Sequence, residues 1–509
     1  MSELPPLTGP KLLVTAVALA LGTFMQVLDS TIANVSIPTI AGNLGVSADQ
    51  GTWVITSFAV ANGISVPLTG WLMQRYGAVR TFVVSVLLFT LASLLCGAAW
   101  SLPALVMFRV LQGAVSGPLI PGSQALLLTI FPREKRGSAL GLWSMTTLVG
   151  PICGPILGGY ISDNYSWSWI FLINVPVGLL TAAVCWRNMA GRETPRRALP
   201  VDRMGFLLLL VWVGSLQIML DRGKDADWFA ATPIRVLAIV AAIGFVAWVI
   251  WEATEEHPIV DLSLFGIRNF LLGTIVFCLG YAVFFGNNLL VPLWLQTQLG
   301  YTATWAGLVV APSGLVAVSI APFAARLMAR VDARWTATGS FIAFTLSYFM
   351  RTYYAPDTSY FWFVMPLLVQ GAGVSFFFVS MVTISLSDVP PARIPSASGL
   401  SNFARITAGS FAISITTTLW DRREALHQTR LTETASAYDP ALQTTVAQLQ
   451  ALGMAQAQAF GRLMQEVIGQ AYLLASIEFF WLSAWLSLTM IPLVWLARRS
   501  IGQGGAAAD

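Results

Sequence analysis

The sequence predicts an all-α polytopic membrane protein, two parallel-related six-helix halves with two helices inserted between them, fourteen transmembrane helices in all. Three observations carry this expectation. Of 509 residues, 56% are hydrophobic and only 10% charged, far below the roughly 25% charged residues of a soluble domain. Apolar runs of about 20 residues, the length that crosses a bilayer, recur from one end of the chain to the other. Finally, the chain repeats itself: PLTGWLMQRYGA, Pro67 to Ala78, matches PFAARLMARVDA, Pro322 to Ala333, at a spacing of 255 residues.

Taken in order, the apolar runs fall at 12–37, 51–73, 80–99, 102–130, 137–162, 168–188, 204–220, 233–252, 269–297, 303–326, 334–351, 359–387, 396–420 and 471–497. The first carries an acid and is followed by no small-residue cleavage site, so it reads as a retained helix rather than a signal peptide. An even number of crossings puts both termini on one side. Eighteen of the 28 Lys and Arg lie in loops on that side, and the positive-inside rule then makes both termini cytoplasmic. The net charge of +4 is small and speaks to orientation, not to nucleic acid. Cys96, Cys153, Cys185 and Cys278 stand in apolar runs at unrelated spacings, as packing residues do, and no metal site is expected.

The repeat extends further. Gln112-Gly113-Ala114 recurs as Gln370-Gly371-Ala372 at a spacing of 258, and Asn34 and Pro38 correspond to Asn288 and Pro292 at a spacing of 254. Matching spans are eight apart, so the seventh and eighth are an insertion. Residues 1–190 form the N-terminal half, 191–265 the inserted pair and 266–509 the C-terminal half. Parallel halves around a central site are an architecture of secondary transporters. A nucleotide-driven pump would need a GxxxxGK[ST] loop, which is absent. A membrane enzyme would be expected to group its charges, whereas here they are scattered, so neither an enzyme nor a bound cofactor is expected.

Charge inside an apolar span is costly and marks function by default. Asp29 lies ~25 Å into the first span and Arg109 ~10 Å into the fourth from the other side, at 1.5 Å per residue, which brings them to similar depth. Either Asp29 takes and releases a coupled proton beside the fixed charge of Arg109, or the two form a static pair that pins the first span to the fourth. Arg405 in the thirteenth span and Glu478 in the fourteenth are secondary intramembrane charges. In the fifth span, GPICGPILGG places Gly150, Gly154 and Gly158 on one helical stripe where another backbone can approach. Pro151 and Pro155 remove donors and invite a bend, with Gly159 closing the segment as a candidate hinge.

The residues LDSTIANVSIP (Leu28 to Pro38), QGTWVITSF (Gln50 to Phe58), GWLMQRYGAVR (Gly70 to Arg80), FRVLQG (Phe108 to Gly113), the glycine-rich stretch and WIFLINVPVG (Trp169 to Gly178) carry a resemblance that covers the whole chain. It resembles the fourteen-helix drug:proton antiporter family of the major facilitator superfamily, most closely the EmrB-type multidrug efflux subunits. The resemblance implies proton coupling through Asp29 and Arg109, and it ties the glycine-rich fifth span to exporters. It also implies a cytoplasmic latch at Gly70, Gln74, Arg75, Gly77 and Arg80. Gln74 stands where the family usually has an acid, which leaves a hydrogen-bonded latch; Arg75 and Arg80 serve equally as positive-inside anchors. Asn34, Gln112, Trp143, Phe284, Phe285 and Asn288 lie on spans expected to line the substrate cavity, and an apolar, aromatic cavity suits amphipathic compounds. A proton-coupled importer or facilitator of the same fold stays open as the competing reading.

The longest loop, 421–470, is expected outside the membrane, opposite the termini. Asp439-Pro440 reads as a helix start. Leu442, Val446, Leu449 and Leu452 share one face, as do Phe460, Leu463, Met464 and Val467 beyond Gly453. Such a hairpin either folds back on the transporter or docks on a partner. The resemblance implies a periplasmic adaptor linked to an outer-membrane channel, and hence the bacterial inner membrane.

Overall fold

The structure, a computed structural model, describes residues 7–46, 48–132, 135–197, 200–224, 226–328, 330–433 and 440–500; for some residues within helices, Asn34, Pro151 and Pro155 among them, the side chains lie outside what is described, as does all of Asp439. Among the described residues the chain is helical and contains no strand. Helix α1 (Gly9–Leu44) ends at Gly45, whose φ of 66° costs glycine little. A single turn, α2 (Ala48–Gly51), leads to α3 (Trp53–Ser65) and α4 (Thr69–Tyr76), which together make the second span. The third is α5 (Ala78–Gly97). The fourth is α6 (Leu102–Ser116) followed by α7 (Leu119–Ile130), interrupted at Pro118; Ser101 caps α6 by accepting from Ala104 N. Then come α8 (Arg136–Asn164), and α9 (Trp169–Leu172) with α10 (Asn174–Met189). The inserted pair is α11 (Arg203–Arg222), capped by Asp202, and α12 (Thr232–Thr254). The C-terminal half contains α13 (Arg268–Gln298), α14 (Ala303–Met328), α15 (Ala333–Arg351), α16 (Tyr360–Leu386), α17 (Ile394–Thr432), α18 (Pro440–Ala451) and α19 (Gln456–Trp495).

Helix pairing recurs between the halves. Helix α1 packs on α8 and α10 as α13 packs on α17 and α19; α3 packs on α6 as α14 on α16; α5 packs on α6 and α10 as α15 on α16 and α19. The halves meet along α8 and α14 on one side and along α17, α4 and α7 on the other. The inserted pair lies across this second seam: Trp212, Val213 and Leu216 of α11 belong to one buried cluster with Trp248 of α12, Val66 of the N-terminal half and Phe270 and Phe403 of the C-terminal half.

Eleven helices among the described residues are long and apolar enough to cross a membrane, and the protein is a multi-pass membrane protein. Its outer surface fits that reading. Ile239, Ile243, Val246 and Ile250 form an exposed stripe on α12, and Leu87, Leu88 and Leu91 another on α5. An apolar surface this continuous belongs against lipid.

Residues Thr69–Tyr76 carry the second span on as helix, and Gly77 redirects the chain at a φ of 95° where side chains are strained. One local expectation is corrected. The helices expected within 421–470 are present but do not form a hairpin separate from the spans: α17 runs on unbroken to Thr432 and α19 already begins at Gln456, with α18 between them among the described residues. Polar surroundings do not end a helix whose sequence keeps its propensity, so both spans project beyond the apolar layer. Leu442, Val446 and Leu449 form the less exposed face of α18, which packs on α19, whereas Leu452, Phe460 and Met464 are exposed.

Candidate functional site

The buried polar centre of the N-terminal half is assembled from four spans. Asp29 on α1 and Arg109 on α6 are both 0% exposed, and Arg109 Nη1 donates to Asp29 Oδ2 at 2.5 Å. The same Nη1 donates to Gln112 Oε1 at 2.8 Å, one turn along α6, and Arg109 Nε donates to the Val54 carbonyl at 3.0 Å. The other carboxylate oxygen, Asp29 Oδ1, accepts from Gln112 Nε2 at 3.1 Å and from Asn174 Nδ2 of α10 at 3.0 Å. Ser93 of α5 closes the network: its Oγ accepts from Gln112 and Asn174 and donates to the Phe171 carbonyl. Above the guanidinium lies the Phe58 ring, 4.2 Å from Cζ, with Phe171 at 5.5 Å. This arrangement is built for an ionised carboxylate, since three N–H donors converge on it.

Taking that charge away has a defined consequence. A protonated Asp29 gives up the charge-assisted bond, and Arg109 already has an unpartnered Nη2. An uncompensated buried cation is costly. The glycine seam lies along the same stretch of α1, at its interface with α8. A Cβ at Gly150 would meet Val27 Cγ1 at 2.5 Å, one at Gly154 would meet Thr31 Cβ at 2.7 Å, and one at Gly158 would meet the Ile32 carbonyl oxygen at 2.8 Å. Residues 27, 28, 31 and 32 bracket Asp29 on α1. Thr31 Oγ1 also donates to the Gly150 carbonyl at 3.3 Å. At Gly159 nothing lies within 4 Å, so it is not part of the seam.

At the end of the bundle where Leu7 and Ser500 lie, the halves touch. Gln74 Nε2 on α4 donates to Ser396 Oγ on α17 at 2.9 Å, and a Cβ at Gly70 would meet the Ser396 Cα at 2.6 Å. Deeper along the same seam, Asn402 Nδ2 donates to Gln124 Oε1 at 3.0 Å. Arg75 stacks on Trp71 and Tyr76, while the backbone amides of Val79 and Arg80 donate to the Glu193 carboxylate, which occupies the space a side chain at Gly77 would need. Acids at a helix N-terminus are favoured there. The contact across the seam is therefore hydrogen-bonded, through Gln74. Loss of one such bond costs about 0.5–1.5 kcal/mol, so Gln74→Ala should lower the closed-to-open ratio at this end by about 2- to 13-fold, read from spin-label distances between α4 and α17.

The remaining expected residues separate into different environments. Gln112 belongs to the Asp29 network and not to a cavity wall, and Trp143 is fully buried in the packed core. Phe284 and Phe285 flank Tyr281 in an aromatic cluster with Phe344 and Phe378, and Asn288 Nδ2 bonds back to the Phe284 carbonyl. Arg405 is 4% exposed; it donates to Asn402 Oδ1 at 2.8 Å and sits 4.7 Å from the Tyr281 ring centroid, inside the C-terminal bundle and away from lipid. Glu478 pairs with Arg423 on the projecting part of α17 at 2.5 Å and lies 3.1 Å from His427, at the solvated margin. Sequence reasoning missed three buried residues. Ser93 has no signal of its own, Asn174 stands inside a quoted motif, and Arg351 is the last residue of the run 334–351.

A Major Facilitator Superfamily profile matches residues 19–413. The chain belongs to the major facilitator superfamily. Within it, the chain is 49% identical over 506 residues to the "Multidrug export protein EmrB" of Escherichia coli (strain K12), covering 99% of each chain. It is 45% identical to the "Fatty acid resistance protein FarB" of Neisseria gonorrhoeae, again covering 99% of each. These place it with the EmrB-type members. The proton:xylose symporter XylE, bound to 6-bromo-6-deoxy-D-glucose, shares the fold at a TM-score of 0.62 and 13% identity, over 97% of this chain and 98% of that one. Membership of this superfamily makes the protein a transporter rather than an enzyme.

Proposed function

We propose that the protein is a proton-coupled antiporter that exports structurally diverse hydrophobic and amphipathic compounds, driven by the proton gradient and needing no bound cofactor. The observation that carries this reading is the Asp29–Arg109 pair, fully buried and tied by hydrogen bonds to two other spans, α3 through the Val54 carbonyl and α10 through Asn174. The names and full-length similarity of the relatives support export of drugs and fatty acids. Helices α8, α15 and α17 take the fifth, eleventh and thirteenth crossings, making fourteen, because each pairs as its counterpart in the other half does.

In this reading Asp29 carries the proton and Arg109 is the fixed charge against which it is exchanged. Ionised Asp29 holds α1 to α6 and α10; once protonated it releases them, and α1 shifts along the bare glycine stripe of α8. Both termini are cytoplasmic and the membrane is the bacterial inner membrane. The Gln74–Ser396 contact then latches the cytoplasmic end. The exposed apolar residues Leu452, Phe460 and Met464, on the far side, suit a periplasmic adaptor that leads to an outer-membrane channel.

The direction of transport is tested in cells lacking their own efflux pumps. Expression of the protein with an adaptor should lower accumulation of a lipophilic dye, and a protonophore should restore it. Raised accumulation would identify an importer instead.

A further inference from the structure

The C-terminal half holds a buried cation with no counter-charge. Arg351 ends α15 and is 0% exposed, yet it forms no ion pair with any described residue. Its Nη2 donates to Gln370 Oε1 of α16 and to Ser347 Oγ, and Tyr348 and Phe480 supply ring faces at 5.2 and 5.8 Å. Four polar atoms in this cluster have no partner: Arg351 Nε and Nη1, Gln370 Nε2 and the Tyr348 hydroxyl. All belong to fully buried side chains, and three of the four can only donate.

Comparison with the other half says what is missing. Gln112 and Gln370 correspond in the repeat. In the N-terminal half Gln112 Oε1 accepts from an arginine while its Nε2 donates to the Asp29 carboxylate. In the C-terminal half Gln370 Oε1 likewise accepts from an arginine, but Nε2 has nothing to donate to. One negative charge is present in the first constellation and absent from the second. Burial of an arginine without compensation costs several kcal/mol, and buried charges in proteins are paired or hold ions.

We propose that Arg351, Gln370 and Tyr348 bind a small monovalent inorganic anion of the halide type, which takes the place that the Asp29 carboxylate holds in the other half. Complete burial excludes a bulky anion. A groove of about 640 Å³ lies beside the cluster at the ends of α15 and α16, with Met350, Tyr354 and Pro366 in its wall, and an anion would enter from there.

The test uses the purified full-length protein, with chloride as the probe and gluconate as an anion too large for the site, at constant ionic strength. Unfolding is followed by tryptophan fluorescence. An anion that binds only the folded state raises the melting midpoint, so chloride should raise it by a few degrees over gluconate. Gln370→Glu supplies a carboxylate beside Arg351; it should be as stable in gluconate as the unmodified protein is in chloride, and should no longer respond to chloride. Arg351→Met should also lose the response; if that variant does not fold, Gln370→Glu decides alone. Equal midpoints of the unmodified protein in chloride and gluconate, or a full chloride response retained in Gln370→Glu, would overturn the proposal.

Discussion

Asp29→Asn is expected to abolish pH-driven accumulation of lipophilic compounds in inverted vesicles, the largest functional effect of any single change in this protein. It should also destabilise the fold, by about 3–5 kcal/mol, because Arg109 is left as an unpaired buried cation. Lost transport alone would therefore not separate a proton carrier from a structural tie. The double variant Asp29→Asn/Arg109→Gln does separate them. Replacing both members of a buried pair is often neutral for stability, and Gln112, Asn174 and Ser93 remain to bond the new amides. The melting midpoint should thus return most of the way to that of the unmodified protein while proton-driven transport stays absent. A double variant that transports normally would reduce the pair to a static pin between α1 and α6.

The second large effect concerns two adjacent glycines and has opposite signs. Gly158→Ala puts a methyl group 2.8 Å from the Ile32 carbonyl oxygen, and backbone cannot turn aside as a side chain can. The helices must separate, at a cost of about 1–3 kcal/mol for overpacking of this kind. Transport should fall by about 5- to 160-fold, since 1.4 kcal/mol is a factor of ten. Gly159→Ala, one residue on, meets nothing within 4 Å. There the gain from replacing glycine in a helix, about 0.5–1 kcal/mol, should leave stability equal or slightly raised and transport intact. Thermal unfolding and vesicle transport of the two variants side by side test whether the seam between α1 and α8 limits motion. Equal effects at both positions would remove the seam from the account.

Much of this was legible in the sequence because the membrane makes charge conspicuous. Asp29 and Arg109 stand alone in apolar runs, and helix rise alone brought them to one depth. The glycine stripe was legible for a similar reason, since its period of four belongs to one helix face. The partners of the site were not. Ser93 is one of many serines in apolar helices, and only the packing of α5 against α6 and α10 turns it inward. Gln112 carried no mark to distinguish a cavity wall from a partner of Asp29. Arg351 was hidden by its place at the last residue of an apolar run, where a cation ordinarily reaches for the interface; the ring of Phe480, from another span, shows that it is buried instead. The projecting ends of α17 and α19 were obscured because hydropathy marks where apolar character stops, and a helix need not stop there.

The measurement that bears most directly on the central claim is proton movement itself. The protein is reconstituted into sealed vesicles with a pH-sensitive dye inside, and lipophilic compounds of either charge sign are added in the presence of a pH gradient. The account predicts compound-triggered proton flux through the unmodified protein and none through the folded Asp29→Asn/Arg109→Gln double variant. Equal flux through both would contradict it.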